Sequence, residues 1–320
     1  MTAIVVVSHG GEIEIKSAFL VYTLIDQLRG SYKIYIGVPA EEYNLPELSD
    51  ISRSFYKENN IGFFRFKNPV LEIKNNYSRG ELVSNKIYAM MHNFSEENIV
   101  FLDSDIAALM SFETDQLVPE SKDLKLKPAN RANVTDWQNI YKKAGQEYPS
   151  ESVITGIDKK QLPPYFNSGV IGLKNKTRQD FIEMWAYYFS WLSSINELNY
   201  PTFHRDQVAL SLAVNKLGNE FELLDEKYNF PVRGKKLSGK EALPAMAHYH
   251  KPYTLYHYKV LRRLFNSFLT RNEKFKILIN KYPEWERFFS GIKLRASFYS
   301  GIEKLRYKKF LIRKKVSLNR

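Results

Sequence analysis

The chain has no cysteine among its 320 residues. Disulfide frameworks, thiolate nucleophiles and cysteine-based zinc sites are therefore excluded, since each needs the thiol itself. Long hydrophobic runs are missing too: no stretch approaches the roughly 18 consecutive apolar residues that a bilayer-spanning helix requires. Neither a Gly-x-Gly-x-x-Gly turn nor a Walker-type loop occurs, which argues against dinucleotide and P-loop chemistry. The opening Met1-Thr2-Ala3-Ile4-Val5-Val6-Val7 carries no basic residue ahead of its apolar run, so it does not read as a secretory signal. A cytoplasmic protein is expected.

What is present can fold. Hydrophobic residues make up 44% of the chain, as in globular rather than disordered proteins. The net charge of +12 is unevenly placed. Lys259 to Arg320 holds 18 Lys/Arg against 4 acids, an excess larger than that of the whole chain, which leaves Met1 to Tyr258 at −2. This asymmetry predicts two parts with different surface roles, 1–258 as the folded body and 259–320 as a basic amphipathic helical extension. In 303–320, Lys304, Arg306, Lys308, Lys309, Arg313, Lys314 and Lys315 surround Leu305, Tyr307, Phe310, Leu311 and Ile312. Such a segment suits an anionic membrane surface, giving a peripheral location on the inner face. The same charge could serve nucleic acid, but the body is nearly neutral and no nucleic-acid motif is present, so no nucleic acid is expected.

Ala3–Val7 reads as a buried strand, Ile15–Leu28 as a helix closing at Gly30, and Lys33–Val38 and Gly62–Phe66 as further strands. A helix through Leu82, Ile87, Met90 and Met91 precedes the strand Ile99–Leu102. Alternating strands and helices argue an α/β domain with a mostly parallel sheet. From Glu113 to Pro164 the sequence turns polar and proline-rich. A lid or binding loop is expected there, with one helix over Thr135–Ala144, Thr135 as its N-cap, and Trp137 and Tyr141 as stacking platforms or core.

The most informative stretch is Ile99-Val100-Phe101-Leu102-Asp103-Ser104-Asp105. If the strand continues, Asp103 and Asp105 share one face, and two like charges held together call for a divalent cation. Strand ends are also where open α/β sheets bind ligands. Further along come Phe166-Asn167-Ser168-Gly169-Val170, Asp206-Gln207, Tyr228-Asn229-Phe230-Pro231 and His248-Tyr249. Each alone has an ordinary explanation as turn, helix start or core histidine.

In this order, over roughly residues 3 to 258, these segments resemble the GT-A glycosyltransferases of family eight, the glycogenin and galactosyltransferase-like enzymes. The resemblance implies a GT-A fold (Rossmann-like, a mostly parallel central sheet flanked by helices) and a nucleotide-sugar donor, most often a UDP-sugar. It also implies a saccharide or glycolipid acceptor. Asp103, Asp105 and His248 would hold Mn²⁺ or Mg²⁺. Ser8, His9, Lys86, Ser104 and Lys251 would line the donor, and Asn167, Asp206 and Gln207 the reacting sugar, with Gln207 nearest the anomeric carbon. Retention fits the family, while the residues alone leave inversion open, with Asp206 as the nearby base. One departure is plain: the glycine-rich stretch after the late histidine is reduced to His250-Lys251-Pro252. A sugar nucleotidyltransferase is the nearest rival, although Ser8-His9-Gly10-Gly11-Glu12 lacks the basic residues of that class.

Overall fold

A computed structural model of the chain describes residues 1–71, 78–195, 198, 200–232 and 243–289. The chain divides into two compact units, the first from Met1 to His248 and the second beginning at Tyr249. The basic stretch 303–320, read above as a membrane-binding segment, lies outside the described residues.

The first unit is built on a seven-stranded sheet. In chain order its strands are β1 (Thr2–Val7), β2 (Tyr32–Pro39), β3 (Gly62–Phe66) and β4 (Asn98–Leu102). A short strand β5 (Ile106–Ala108) belongs to a second sheet, and β6 (Leu124–Pro128), β7 (Phe166–Lys174) and β8 (Phe221–Leu223) complete the first. The spatial order is β8-β6-β7-β4-β1-β2-β3. All pairings are parallel except those of β7, which runs antiparallel to both β4 and β6. The expected mostly parallel sheet is present. Residues Ala3–Val6 and Ile99–Leu102 are essentially fully buried, as continuous apolar strands in a doubly covered sheet should be.

From β1 the chain winds through β2 to β3 on one side, then returns to place β4 on the other side of β1. The carboxyl ends of β1 and β4 therefore meet at the point where the winding reverses, the usual ligand crevice of such sheets. Helix α1 (Glu12–Gln27) starts directly after β1, and α2 (Asp50–Glu58) precedes β3. Gly10 in the first turn is needed for close approach: its N–H donates to Pro46 O at 2.6 Å, and a Cβ there would lie 2.2 Å from Glu47 O. Buried Glu14 accepts from Ser49 N–H at 3.0 Å and from the Ser49 and Ser52 hydroxyls at 2.6 and 2.7 Å. The loop after β2 is thereby tied to the start of α1.

Two expectations need correction. The Glu113–Pro164 stretch is not simply a lid, because it contains β6, an interior strand of the main sheet. Leu124-Lys125-Leu126-Lys127-Pro128 alternates with the period of a strand, a signal masked by its charge and its proline. The helix there is α4 (Trp137–Lys143), with Asp136 rather than Thr135 at the N-cap. Trp137 and Tyr141 are 3% and 0% exposed and belong to the core. Neither presents a ring face to a sugar. The helix expected through Leu82 to Met91 is broken instead, with α3 limited to Asn85–Ala89. Just before it, the Ser84 hydroxyl donates to Glu81 O at 2.6 Å, a side-chain bond that competes with helix continuation.

Helices α5 (Asn175–Ser194) and α6 (Arg205–Leu217) pack on each other, and α6 packs on β7. Trp185, Phe181 and Phe189 of α5 are fully buried, and Trp185 Nε1–H donates to Asp206 O at 2.8 Å. The start of α6 is thus pinned. A small sheet joins β9 (Phe230–Pro231), β10 (Met246–His248) and β5, with β10 antiparallel to β5 and His248 opposite Ile106.

The second unit is helical over its described residues: α7 (Pro252–His257), α8 (Lys259–Arg271), α9 (Phe275–Lys281) and α10 (Pro283–Phe289). Leu261, Phe265, Phe268 and Leu269 recur on one face of α8 and are buried, with Phe265 5.3 Å from the Trp285 ring. Among the described residues no helix is long and apolar enough to cross a membrane.

Candidate active site

The site forms where four backbone segments converge: the turn after β4, the first half of β7, the first turn of α6 and the end of β10. β4 ends at Leu102, and Asp103-Ser104-Asp105 is a turn, closed by Ile106 N–H donating to Asp103 O at 3.2 Å. The two carboxylates are therefore gathered by a turn and by His248, not by the side-chain alternation of an extended strand. Asp103 N–H donates to Gly169 O at 2.8 Å, which fixes the turn to β7. His248 Nε2 lies 2.9 Å from Asp105 Oδ1 and 4.0 Å from Asp103 Oδ2.

The histidine ring is oriented by a chain of amides. Gly169 N–H, an unambiguous donor, donates to Asn167 Oδ1 at 3.0 Å. The same oxygen accepts from Asn229 Nδ2 at 2.7 Å, which turns Asn229 Oδ1 toward His248. That oxygen sits 3.0 Å from His248 Nδ1 and accepts its proton. Nδ1 is committed to Asn229, and Nε2 is aimed at Asp105. Asn167, Asn229 and His248 are all buried, so these bonds are sheltered from competing water. Gly169 is required by the packing: a Cβ at that position would lie 2.9 Å from Asn167 Oδ1, 2.9 Å from His248 Cε1 and 3.1 Å from Asp103 Oδ2.

On the other side of Asp103 stands Lys86, from α3. Its Nζ lies 2.9 Å from Asp103 Oδ1 and 3.2 Å from Asp206 Oδ2. It also donates to Ser168 Oγ at 3.1 Å and Ser168 O at 3.3 Å. Burial alone would push its pKa down, but Asp103 and then Asp206 outweigh that effect and hold it above the ordinary lysine range. Burial pushes the Asp103 carboxyl up, against the pull of Lys86. Ser168 Oγ donates to Asp206 Oδ2 at 2.5 Å. Among the described residues, Asp206 Oδ1, on a residue only 2% exposed, has no hydrogen-bond partner. Native structures rarely leave a buried carboxylate oxygen so, and a substrate hydroxyl is a fitting donor. Gln207 follows in the first turn of α6, half-buried.

Asp103, Asp105, His248, Asn167, Lys86 and Asp206 are thus brought together. Ser104 sits half-buried in the turn between the two acids. Ser8 is fully buried at the end of β1, its hydroxyl 2.7 Å from Ser17 Oγ in a network that continues to Tyr56. His9 stands beside it, Nδ1 donating to Gly10 O at 2.7 Å, its pKa lowered by burial. Lys251 lies in the second unit, 3.7 Å from Glu284. Two contributors had no signal of their own in the sequence. Asn229 was visible only as part of a motif, and Lys16 of α1, 4.0 Å from Asp105 Oδ2, stood in an ordinary amphipathic helix.

A family model for the Rhodobacterales glycosyltransferase domain matches residues 4–218, more than half of the chain. The chain belongs to that family. It is a glycosyltransferase, which sets aside the reading of the chain as a sugar nucleotidyltransferase or as a non-catalytic module. No curated protein matches the sequence. Solved structures similar to this glycosyltransferase include an active-site mutant of LgtC, with a TM-score of 0.54 and 12% identity over 84% of this chain and 95% of that one. The galactosyltransferase LgtC in complex with donor and acceptor sugar analogs is also similar, with a TM-score of 0.53 and 12% identity over 86% and 99% of the two chains. At such identity the likeness establishes the fold, which is GT-A. This glycosyltransferase therefore carries its Asp103–Asp105–His248 group at the crevice of a GT-A sheet.

Proposed function

We propose that this glycosyltransferase moves a sugar from a nucleotide-sugar donor, a UDP-sugar in the first instance, to a saccharide or lipid-linked saccharide acceptor, with a divalent cation at Asp103, Asp105 and His248. The observation that carries the reading is the convergence of two carboxylates and an oriented imidazole at the carboxyl ends of β1 and β4. Oxygen ligands with one imidazole suit Mn²⁺ better than Mg²⁺. The amide relay behind His248 is the kind of supporting shell that fixes a ligating ring. Bound there, the cation supplies Lewis-acid neutralisation of the departing diphosphate.

The protein's own groups do the rest. Lys86 holds Asp103 and Asp206 in place. Asp206 Oδ1 accepts a donor-sugar hydroxyl. Gln207 presents its amide beside the reacting carbon, and Asn167 supports the floor of the site through Gly169 and Asn229. We assign a retaining outcome, in which the departing phosphate oxygen takes the acceptor's proton. Ser8, His9, Ser104 and Lys251 remain proposed contributors to donor binding, and 259–320 a basic extension whose last segment, 303–320, docks the enzyme on the inner leaflet.

Two variants probe the roles. Gln207→Ala is expected to lower kcat by roughly a hundredfold with donor KM nearly unchanged, since a contact made beside the reacting carbon acts mainly in the transition state. A raised KM at unchanged kcat would remove that role. Asn229→Ala is expected to weaken Mn²⁺ affinity by about 10- to 100-fold, the usual cost of losing a ring-orienting partner, as read by calorimetric titration. Unchanged affinity would separate the relay from cation binding.

The reading as a whole is tested by incubating the full chain with Mn²⁺ and a panel of nucleotide sugars. Free nucleoside diphosphate should appear for one donor class and disappear with a chelator. Release with no donor, or equal release in chelator, would overturn it. Flotation with anionic but not neutral liposomes, lost on deleting 303–320, tests the docking segment.

A further inference from the structure

A sugar ring presents a face of C–H bonds, which the electron-rich face of an aromatic ring can cover, and ligand sites are commonly lined by such rings. Trp137 and Tyr141 are core residues and do not serve. Among the described residues the exposed aromatic rings are Phe63, Tyr148, Tyr187 and Phe203. Phe63 lies on the edge strand β3, Tyr148 beyond the end of α4, and Tyr187 within α5. Phe203 stands in the segment that delivers Asp206 and Gln207.

That segment is a 3₁₀ turn, Thr202–His204, closed by His204 N–H donating to Pro201 O at 2.8 Å. It runs directly into α6 at Arg205. Side chains three and four residues apart on successive helical turns are neighbours, so Phe203 is the side chain next to Asp206 and Gln207 on the preceding turn. The 3₁₀ turn is held from two sides. A short helical turn, Arg79–Leu82, packs against it, with Gly80 placed so that a Cβ would lie 3.4 Å from Thr202 O. On the other side Asn133 Nδ2 donates to His204 Nε2 at 3.1 Å. Asn133 follows β6, which runs in the direction of β4 because both are antiparallel to β7. The loop carrying Asn133 therefore opens on the same edge of the sheet as the crevice. The His204 ring flanks the Phe203 ring, with centroids 4.3 Å apart. Phe203 itself is 54% exposed.

A single exposed apolar side chain is ordinary on a protein surface. Its place is what matters here: a rigid ring on a fixed backbone, one turn ahead of the reacting position. Glycosyl transfer brings two sugars together at one carbon. Asp206 is turned inward, to Ser168 and Lys86, and takes the donor sugar in the reading above. Phe203 is turned to solvent, the side from which a second saccharide arrives. Being apolar, it offers nothing to a diphosphate or a cation and is suited to the C–H face of a sugar.

We propose that Phe203 is the platform for the acceptor saccharide, its ring covering the C–H face of the sugar whose hydroxyl receives the transferred group beside Gln207. This rests on the glycosyl-transfer reading above and on the place of Gln207 in it. Phe203 is thereby a specificity-determining residue for the acceptor and not for the donor.

The test measures transfer by the full chain from UDP-glucose and UDP-galactose, at saturating Mn²⁺, to a panel of methyl hexosides, lactose and octyl hexosides. Wild type is compared with Phe203→Ala, Phe203→Leu and Phe203→Tyr. Phe203→Ala is expected to raise the saccharide KM by roughly tenfold or more, the scale of one well-packed aromatic contact. Phe203→Tyr should recover most of the loss and Phe203→Leu little of it, since leucine is apolar but has no flat face. UDP affinity by calorimetric titration and the thermal melt should be unchanged in all three. Full recovery by Phe203→Leu would overturn the proposal. So would an equal loss of UDP affinity, which would show a merely structural role. A loss confined to the octyl hexosides, with methyl hexosides unaffected, would place a lipid tail on the ring and also overturn it. If no saccharide of the panel changes the wild-type rate of nucleoside diphosphate release, the saccharide-acceptor reading fails and takes this assignment with it. A wild-type response that Phe203→Ala keeps in full overturns the Phe203 assignment alone.

Discussion

Asp103→Asn and Asp105→Asn are each expected to reduce cation-dependent donor turnover by roughly a thousandfold or more while leaving the fold intact. The size of the loss follows from the role of the pair. In the proposed site both carboxylates face the cation, and preorganised charge at a departing group is usually the largest single contribution to catalysis. The fold should survive because the amide is isosteric and the backbone anchor, Asp103 N–H to Gly169 O at 2.8 Å, is untouched. Nucleoside diphosphate release in Mn²⁺-replete buffer, beside a thermal melt, reads both parts. Full activity in either variant would remove the pair from the site. His248→Ala should act in the same direction through cation affinity. An equal effect of His250→Ala with none from His248→Ala would assign the ligand to the other histidine.

Lys86→Met is expected to be the most destabilising change in the site, by about 3–5 kcal/mol, the usual cost of removing one partner of a buried ion pair. Lys86 has a side chain only 8% exposed and stands between Asp103 and Asp206. Methionine fills the space but leaves two buried carboxylates facing each other. The pH dependence follows from this. Burial already pushes the Asp103 carboxyl up, and Lys86 opposes that shift. Without the lysine the folded-state pKa rises further above the unfolded value. A carboxyl so raised favours the folded state when protonated and loses that advantage as pH rises through the carboxylate range. The deficit of Lys86→Met relative to wild type should therefore shrink at acid pH and be full at neutral pH. Denaturant melts at pH 4.5 and 7.5 check the sign. A deficit that is constant across this range would mean that the carboxylates do not depend on Lys86 for their charge.

How far the sequence could be read depended on whether the signal was local. β1, β2, β3 and β4 announce themselves through apolar runs and alternation within a few residues, and the structure places strands there. β6 did not, because its two lysines and terminal proline disguise a strand that is paired on both sides. Asp103, Asp105, Asp206 and His248 were visible as an ordered set, and the fold gathers Asp103 to His248 and to Asp206 by way of Lys86. The reason first given for the acid pair was different: a turn, not strand alternation, brings the two together. Trp137 and Tyr141 looked equally suited to a sugar platform or a core, and the choice is made by tertiary packing, Trp137 against Tyr165 and Tyr141 against Trp137. Asn229 and Lys16 act through partners far away in sequence, a kind of relation that no local pattern carries.

The central claim is that Asp103, Asp105 and His248 hold a cation that receives the donor's diphosphate. The most direct measurement is a crystal structure of the full chain with Mn²⁺ and UDP. The expected result is one Mn²⁺ within coordination distance of an oxygen from each aspartate and of His248 Nε2, with the diphosphate completing its shell at the carboxyl ends of β1 and β4. A nucleotide bound elsewhere, or a diphosphate held in that crevice with no cation at these three residues, would contradict it.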